Sequence, residues 1–320
     1  MLCARFFDGQ ESFMKKNILD FLREEGVSGK IISEIESFRS FYKLADEERD
    51  RIPVPPYFYY GREIWEQAAT ALLGGENLLL DGPKATGKNV LAEGLSAAFG
   101  RPEWDISLYI NTDASSLIGS DTFFDGAVHL RKGPVLRCAE LGGFGILDEI
   151  NMAKNESLAV LHAVLDFRRL IDLPGYSRIP LHEACRFIGT MNYGYAGTRE
   201  VNEALASRFM VIHMPVISKE SLKRLLLSQY PELKEDYASQ LAELFDEIRK
   251  KCEGGEISAR ALDLRGLLAG VGMMRRGLSP SQALRLGMIN KCFDDYERQL
   301  CEDLVTVRFP EGLSGEQVFR

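Results

Sequence analysis

Gly82-Pro83-Lys84-Ala85-Thr86-Gly87-Lys88 sets two glycines and a lysine at the spacing G-x-x-x-x-G-K, directly after the apolar run Leu78-Leu79-Leu80. Glycines at those positions let the backbone curl so that successive N–H groups face inward. A helix starting near Lys88 adds its positive dipole end and an ammonium. That concavity suits a polyphosphate, so a strand running into it points to a bound nucleotide. The next residue is Asn89, where a Ser or Thr hydroxyl normally holds Mg²⁺. An Asn carbonyl oxygen is also a hard, neutral ligand, but it reaches one bond further than a hydroxyl. Metal binding through Asn89 is therefore expected to persist in weakened form. The competing expectation is a loop that binds nucleotide without turning it over.

The run Phe144-Gly145-Ile146-Leu147-Asp148-Glu149, whose Asp148 comes sixty residues after Lys88, reads as an apolar strand ending in two carboxylates. Their tasks differ: Asp148 is suited to hold the Mg²⁺ hydration shell, and Glu149 to orient and polarise an attacking water. Phe187-Ile188-Gly189-Thr190-Met191-Asn192 is a further buried strand ending in an amide that can hold the same water or the γ-phosphate. Asn192 also has a plainer use, starting a turn before Tyr193-Gly194. Arg208, in Ala204-Leu205-Ala206-Ser207-Arg208-Phe209, is the candidate guanidinium for charge on a transferring phosphoryl group. Its place just before Val211-Ile212-His213-Met214-Pro215 suggests that it faces a neighbouring subunit.

These residues need a frame that brings distant strand ends together. From Arg62 onward the pattern alternates between helix and short buried strand: helix Glu63 to Leu73, strand Asn77 to Leu80, helix Val90 to Phe99, strand Ile106 to Ile110. Strand Gly145 to Leu147, helix Asn155 to Phe167 and strand Arg186 to Thr190 follow. Such alternation predicts an α/β fold, a parallel sheet flanked by helices with ligands at the carboxyl ends of the strands. Beyond about Ser218, Leu222, Leu225 and Leu226, then Leu241, Leu244, Phe245 and Ile248, read as amphipathic helices of a smaller helical domain.

Residues 13–50 also read as helical, and the prolines at 53, 55 and 56 make the next stretch a linker or strap. Its aromatics Tyr57 to Tyr60 can pack on the protein or lie against a base. The predicted division is a helical appendage over 1–50, a nucleotide-binding domain over 51–216 and a helical lid over 217–320. Two hairpins are predicted, one turning at Asp125-Gly126 between strand-prone flanks and one at Pro174-Gly175.

Composition bounds the function. The 320 residues are 45% hydrophobic, enough for a sizeable core, and no apolar run approaches the roughly 18 residues of a membrane span. Neither a signal peptide nor an anchor is supported at the start of the chain. A formal charge of −8 argues against a generic grip on nucleic acid. Six cysteines without a C-x-x-C pair or metal-ligand spacing to the four histidines fit reduced thiols in a cytoplasmic protein.

The order of these parts resembles the AAA+ ATPases, and within them the MoxR-like branch that includes the CbbQ, NorQ and GvpN type proteins. The resemblance covers roughly residues 60–310. It is carried by Leu117-Ile118-Gly119-Ser120-Asp121, Arg131-Lys132-Gly133-Pro134-Val135-Leu136 and Leu147-Asp148-Glu149-Ile150-Asn151-Met152-Ala153-Lys154. It implies that Gly82, Pro83, Lys84, Ala85, Thr86, Gly87, Lys88 and Asn89 form Walker A, and that Asp148 and Glu149 form Walker B. Asn192 then matches sensor 1 and Arg208 the arginine finger. Ile257-Ser258-Ala259-Arg260 resembles the sensor 2 motif, so Arg260 is expected at the γ-phosphate, with Arg265 in reserve.

The resemblance implies a hexameric, ring-forming ATPase using ATP and Mg²⁺ to remodel or activate a protein client. A partner carrying a von Willebrand factor A domain is frequent in the branch, and the two hairpins are expected near the ring axis. A second reading is a nucleotide-gated interaction module with little turnover. A third is a GTP-using or nucleic-acid-associated motor, disfavoured by the acidic charge.

Overall fold

A computed structural model gives the structure of the chain and describes residues 17–173, 175–192 and 200–320. Two compact units result. One comprises the described residues up to Pro83 together with Gly87–Pro215, and the other comprises Val216–Arg320 with the loop segment Lys84–Thr86.

The first unit opens with helices α1 (Ile18–Glu24), α2 (Gly29–Phe41) and the short α3 (Asp46–Arg49). Asn17 starts α1 by accepting from the Leu19 N–H, the usual remedy for a helix's unpaired first donors. These helices, read from sequence as an appendage, pack on the α/β unit. Phe38 of α2 meets Phe99 edge-on at 5.1 Å between ring centroids. Arg39 Nη2 donates to the Ala97 carbonyl at 2.9 Å. The proline-bearing stretch at 53–61 has neither helix nor strand, and its Phe58 is buried against Phe21.

Then come α4 (Arg62–Leu73), β1 (Leu78–Asp81), α5 (Lys88–Phe99), β2 (Glu103–Ser107) and α6 (Ala114–Ile118). They are followed by the hairpin β3 (Gly119–Phe124) and β4 (Ala127–Lys132), α7 (Pro134–Leu141), β5 (Phe144–Asp148) and α8 (Asn155–Leu165). A short hairpin β6 (Leu170–Ile171) and β7 (Ile179–Pro180), β8 (Arg186–Met191), α9 (Glu203–Ala206) and β9 (Met210–His213) complete the unit. The central sheet has the order β2-β5-β8-β1-β9, every pair parallel. Helices cover it, so its central strands are largely apolar and buried: Leu78, Leu79 and Leu80 of β1 are all buried.

The strand expected at Ile106 to Ile110 lies three residues earlier. Pairing with β5 sets its register from Glu103 opposite Phe144 to Ser107 opposite Asp148. A turn then stops it, closed by the Thr112 N–H on the Tyr109 carbonyl. Only Trp104 and Ile106 alternate inward, and the intervening charges Glu103 and Asp105 hide the strand from a search for apolar runs.

The Asp125-Gly126 turn is present, both residues at positive φ (51° and 76°) as a tight hairpin with a right-handed twist requires. Phe123, Phe124 and Val128 stand exposed near its tip. Tyr176, in the loop of the β6–β7 hairpin, donates to Asp121 Oδ1 at 2.6 Å and so joins the two hairpins. Pro174, predicted in that second turn, lies outside the described residues.

The second unit is helical: α10 (Lys219–Gln229), α11 (Glu235–Glu253), α12 (Leu264–Met274), α13 (Pro280–Gly287), α14 (Asp295–Arg308) and α15 (Gly315–Val318). Leu241, Leu244, Phe245 and Ile248 supply the buried face of α11. Among the described residues, no helix is long and apolar enough to cross a membrane.

Arg101 fastens the N-terminal helices to the sheet. Fully buried, it donates through Nε to the Gly142 carbonyl at 2.7 Å, through Nη1 to Tyr42 at 2.7 Å and through Nη2 to Leu141 at 3.2 Å. Arg101→Met keeps the length and strands three acceptors, so it is expected to lower stability by about 3–5 kcal/mol, read from urea unfolding.

Candidate functional site

β8 lies between β5 and β1, so three of the predicted elements end side by side at the carboxyl edge of the sheet. The phosphate loop leaves β1 there. Gly82 has φ of 152°, and a Cβ on it would come within 2.6 Å of the Met214 carbonyl oxygen. Gly87 (φ 81°) is the left-handed N-cap of α5, and Ala85 between them is also at positive φ, 66°. The loop is therefore curled as its glycines predict, with Thr86 buried at its centre. The Tyr59 ring lies against Gly87, 3.1 Å from where a Cβ would stand. Burial pushes its phenol up to about 12.

Lys88 is only 6% exposed, although it carries an ammonium. Its Nζ donates to the Gly82 and Pro83 carbonyls, each at 2.9 Å, and so sits inside the loop's own curve. Burial pushes the ammonium down to about 8, while Asp81, Asp148 and Glu149 pull it back up. Those three carboxylates are thus near enough to act on it. The arrangement concentrates positive charge against loop amides at a helix start, the setting that favours phosphate.

Asp148 ends β5, and its Oδ1 accepts from the Thr190 hydroxyl at 2.5 Å. The same hydroxyl oxygen accepts from the Glu149 N–H at 3.1 Å. Glu149 is held in the left-handed region at φ 56°, an unusual posture for a residue with a Cβ, and its carboxylate faces outward. Asn151 Nδ2 donates to the Asn192 carbonyl at 2.6 Å. Asn151 Oδ1 is buried with no hydrogen-bond partner. At the other side, the buried Asp81 pairs with His213 Nδ1 at 2.5 Å, tying the end of β1 to the end of β9.

The structure therefore brings the loop 82–89, Asp148, Glu149 and Asn192 to one edge. Arg208 lies elsewhere in the unit. It precedes β9, whose Met210 pairs with Leu78 at the start of β1. That leaves about 20 Å of strand and loop between Arg208 and the phosphate loop. Arg260 belongs to the helical unit, where it is exposed and its guanidinium lies 5.1 Å from the centre of the Phe293 ring. Arg265 is also exposed, in the first turn of α12.

Sequence reasoning missed Thr190, Asn151, Asp81 and His213. Thr190 and Asn151 stand inside the runs 187–192 and 147–154, where Thr190 is indistinguishable from ordinary strand filling and Asn151 from a polar residue of the short turn Ile150–Met152. The Asp81–His213 pair joins residues 132 apart, which no local pattern announces.

The donor set fits a Mg²⁺-nucleotide. Asp148 offers a hard carboxylate oxygen, the Asn89 side chain starts in the first turn of α5, and Mg²⁺ takes few protein ligands when phosphates and water supply the rest. Among the described residues, no cluster of three or more acidic, His or Cys side chains forms a metal cage by itself.

A family model for the AAA domain (dynein-related subfamily) matches residues 77–209. The chain is 32% identical over 271 residues to the uncharacterized protein YojN of Bacillus subtilis (strain 168), covering 83% of this chain and 89% of YojN. It is 30% identical over 260 residues to the uncharacterized protein SH1500 of Staphylococcus haemolyticus (strain JCSC1435), covering 79% and 98% of the two chains. A solved structure from Cytophaga hutchinsonii aligns over 88% of each chain at 16% identity, with a TM-score of 0.44.

Thr190→Val removes the hydroxyl and leaves the Glu149 N–H unpaired. It is expected to cost about 2 kcal/mol in denaturant unfolding, against under about 1 for Thr190→Ser. Lys88 gives a second expectation, with the sign set by its depressed value. Between about 8 and the ordinary 10.5 the unfolded chain holds a proton that the folded chain has lost, so stability rises with pH across that window. The penalty is complete below about 8. Urea midpoints of the wild type should therefore climb relative to Lys88→Met from pH 8 upward, and a flat difference contradicts the assignment.

Proposed function

Because this chain belongs to the AAA+ ATPase family, we propose that it hydrolyses ATP with Mg²⁺ in a hexameric ring and uses the energy to remodel or activate a protein client. The observation that carries the proposal is the meeting of Lys88, Asp148, Glu149 and Asn192 at the ends of three adjacent parallel strands. In this reading the loop amides and Lys88 bind the β- and γ-phosphates. Glu149 takes the proton of the attacking water, and Asn192 orients that water.

Mg²⁺, held through Asn89 and Asp148, would neutralise charge on the phosphate oxygens. The Thr190 hydroxyl fixes both the Asp148 carboxylate and the backbone of Glu149, which keeps metal ligand and base in one geometry. Arg208 lies too far from its own loop to reach a phosphate there, which supports action on the nucleotide of the next subunit. Arg260 of the helical unit is assigned to the γ-phosphate.

The exposed Phe123, Phe124 and Val128 support an apolar segment of a protein client as the thing gripped. Membership of the MoxR-like branch, a partner with a von Willebrand factor A domain and a cytoplasmic location belong to the same proposal. The substitution at Asn89 favours a second reading, a nucleotide-gated module with weak turnover.

Glu149→Gln separates the two. On the first reading it lowers ATP turnover by at least about 100-fold while binding of ATP with Mg²⁺ persists. A wild type that binds ATP with Mg²⁺ yet shows no turnover under assembling conditions establishes the module instead. GTP competing as well as ATP would remove the adenine assignment.

A further inference from the structure

At the amino end of the sheet, opposite the phosphate loop, the first unit holds a cavity of about 790 Å³ whose lining includes Tyr42, Asp166, Phe167, Arg169, Arg186 and Arg208. Arg208 enters it from the residue pair that follows α9. Two contacts hold the guanidinium: Nη1 donates to the Ala204 carbonyl within its own turn, and Nη2 lies 3.5 Å from Asp166 Oδ2. The first contact is local, within the turn that carries Arg208. The second is the one that refers it to the rest of the unit.

Asp166 is placed with care for that contact. Its other oxygen, Oδ1, accepts from the Arg168 N–H at 3.1 Å and from Arg168 Nε at 2.8 Å. The carboxylate is therefore pinned, with Oδ2 turned to Arg208. Asp166 is also the C-cap of α8, where the helix presents its negative dipole end. A carboxylate there opposes the helix it terminates, so helix stability does not account for it. Hydrogen bonds and charge from Arg168, and charge from Arg208, hold its carboxyl below the usual range.

α8 runs about 16 Å from Asn155 to Leu165, and Asp166 follows its last residue. The chain thus runs from Glu149 through the short turn Ile150–Met152 into α8, which ends at the carboxylate paired with Arg208.

We propose that Asp166 is a positioning residue for Arg208: it sets the guanidinium at the angle from which it reaches the phosphate of the adjacent subunit. The proposal rests on the trans role given to Arg208 above. Charge and geometry are both required, since the bond to Arg208 is an ion pair across two chain segments, 42 residues apart.

The test uses the full chain under assembling conditions with ATP and Mg²⁺. Asp166→Asn keeps an acceptor for Arg168 and loses the negative charge. It should lower kcat by about 10- to 100-fold, the scale of a displaced catalytic group, with KM and assembly size unchanged. The double variant with Arg208→Ala should be no slower than Arg208→Ala alone. Mixing Asp166→Asn with an excess of Lys88→Ala subunits, which lack a working loop and retain an intact Asp166–Arg208 pair, should restore turnover at the Asp166→Asn sites.

If Asp166→Asn does not assemble, Asp166→Glu serves in the same mixtures, with an intermediate rate expected. Wild-type turnover in Asp166→Asn while Arg208→Ala is slow, or no recovery on mixing, overturns the proposal. Wild-type turnover in Arg208→Ala, or none in the wild type, overturns the functional reading and this proposal with it, and the single variants tell the cases apart.

Discussion

The hydroxyl of Thr190 is the point on which the edge of this sheet turns. It is donor to one carboxylate oxygen of Asp148 and acceptor from the amide of Glu149, so one buried side chain serves two strand ends. Parallel pairing makes this possible: β8 sits between β5 and β1 with Thr190 opposite Leu80. A shift of one residue would send Thr190 to the other face and separate all three groups. The Asp81–His213 pair does similar work between β1 and β9. Cross-links at both sides of the loop explain how a turn bent at Gly82, Ala85 and Gly87 keeps one shape around a buried ammonium.

Much of this frame was legible in the sequence, because buried parallel strands are short apolar runs that stop at polar residues. Leu78 to Leu80, Phe144 to Leu147 and Phe187 to Gly189 have that form, and each stop is a residue of the site. β2 was displaced in the reading because charges alternate through it and its limits come from pairing with β5. The glycine spacing gave the loop, and the Asp-Gly pair gave the first hairpin's turn. Thr190 and Asn151 could not be picked out, since their importance lies in partners about 41 residues away in the chain.

The N-terminal helices show the same limit from another side. Their helical periodicity is plain, yet nothing in it says that Arg39 reaches Ala97 or that Arg101 collects carbonyls from Tyr42, Leu141 and Gly142. Long-range satisfaction of backbone groups decides whether a helix hangs from a unit or becomes part of it. Here α2 rests on α4 and α5, and a buried guanidinium closes the seam.

Tyr176 and Asp121 give the two hairpins a shared joint. Each hairpin alone is a two-stranded ribbon with little to stiffen it. Joined through one phenol, they hold Asp121 of the first ribbon beside the loop that links Leu170–Ile171 to Ile179–Pro180 in the second. The second ribbon follows α8 after residues 166–169, so the one phenol also ties the exposed aromatic tip of the first ribbon to the chain that leaves α8.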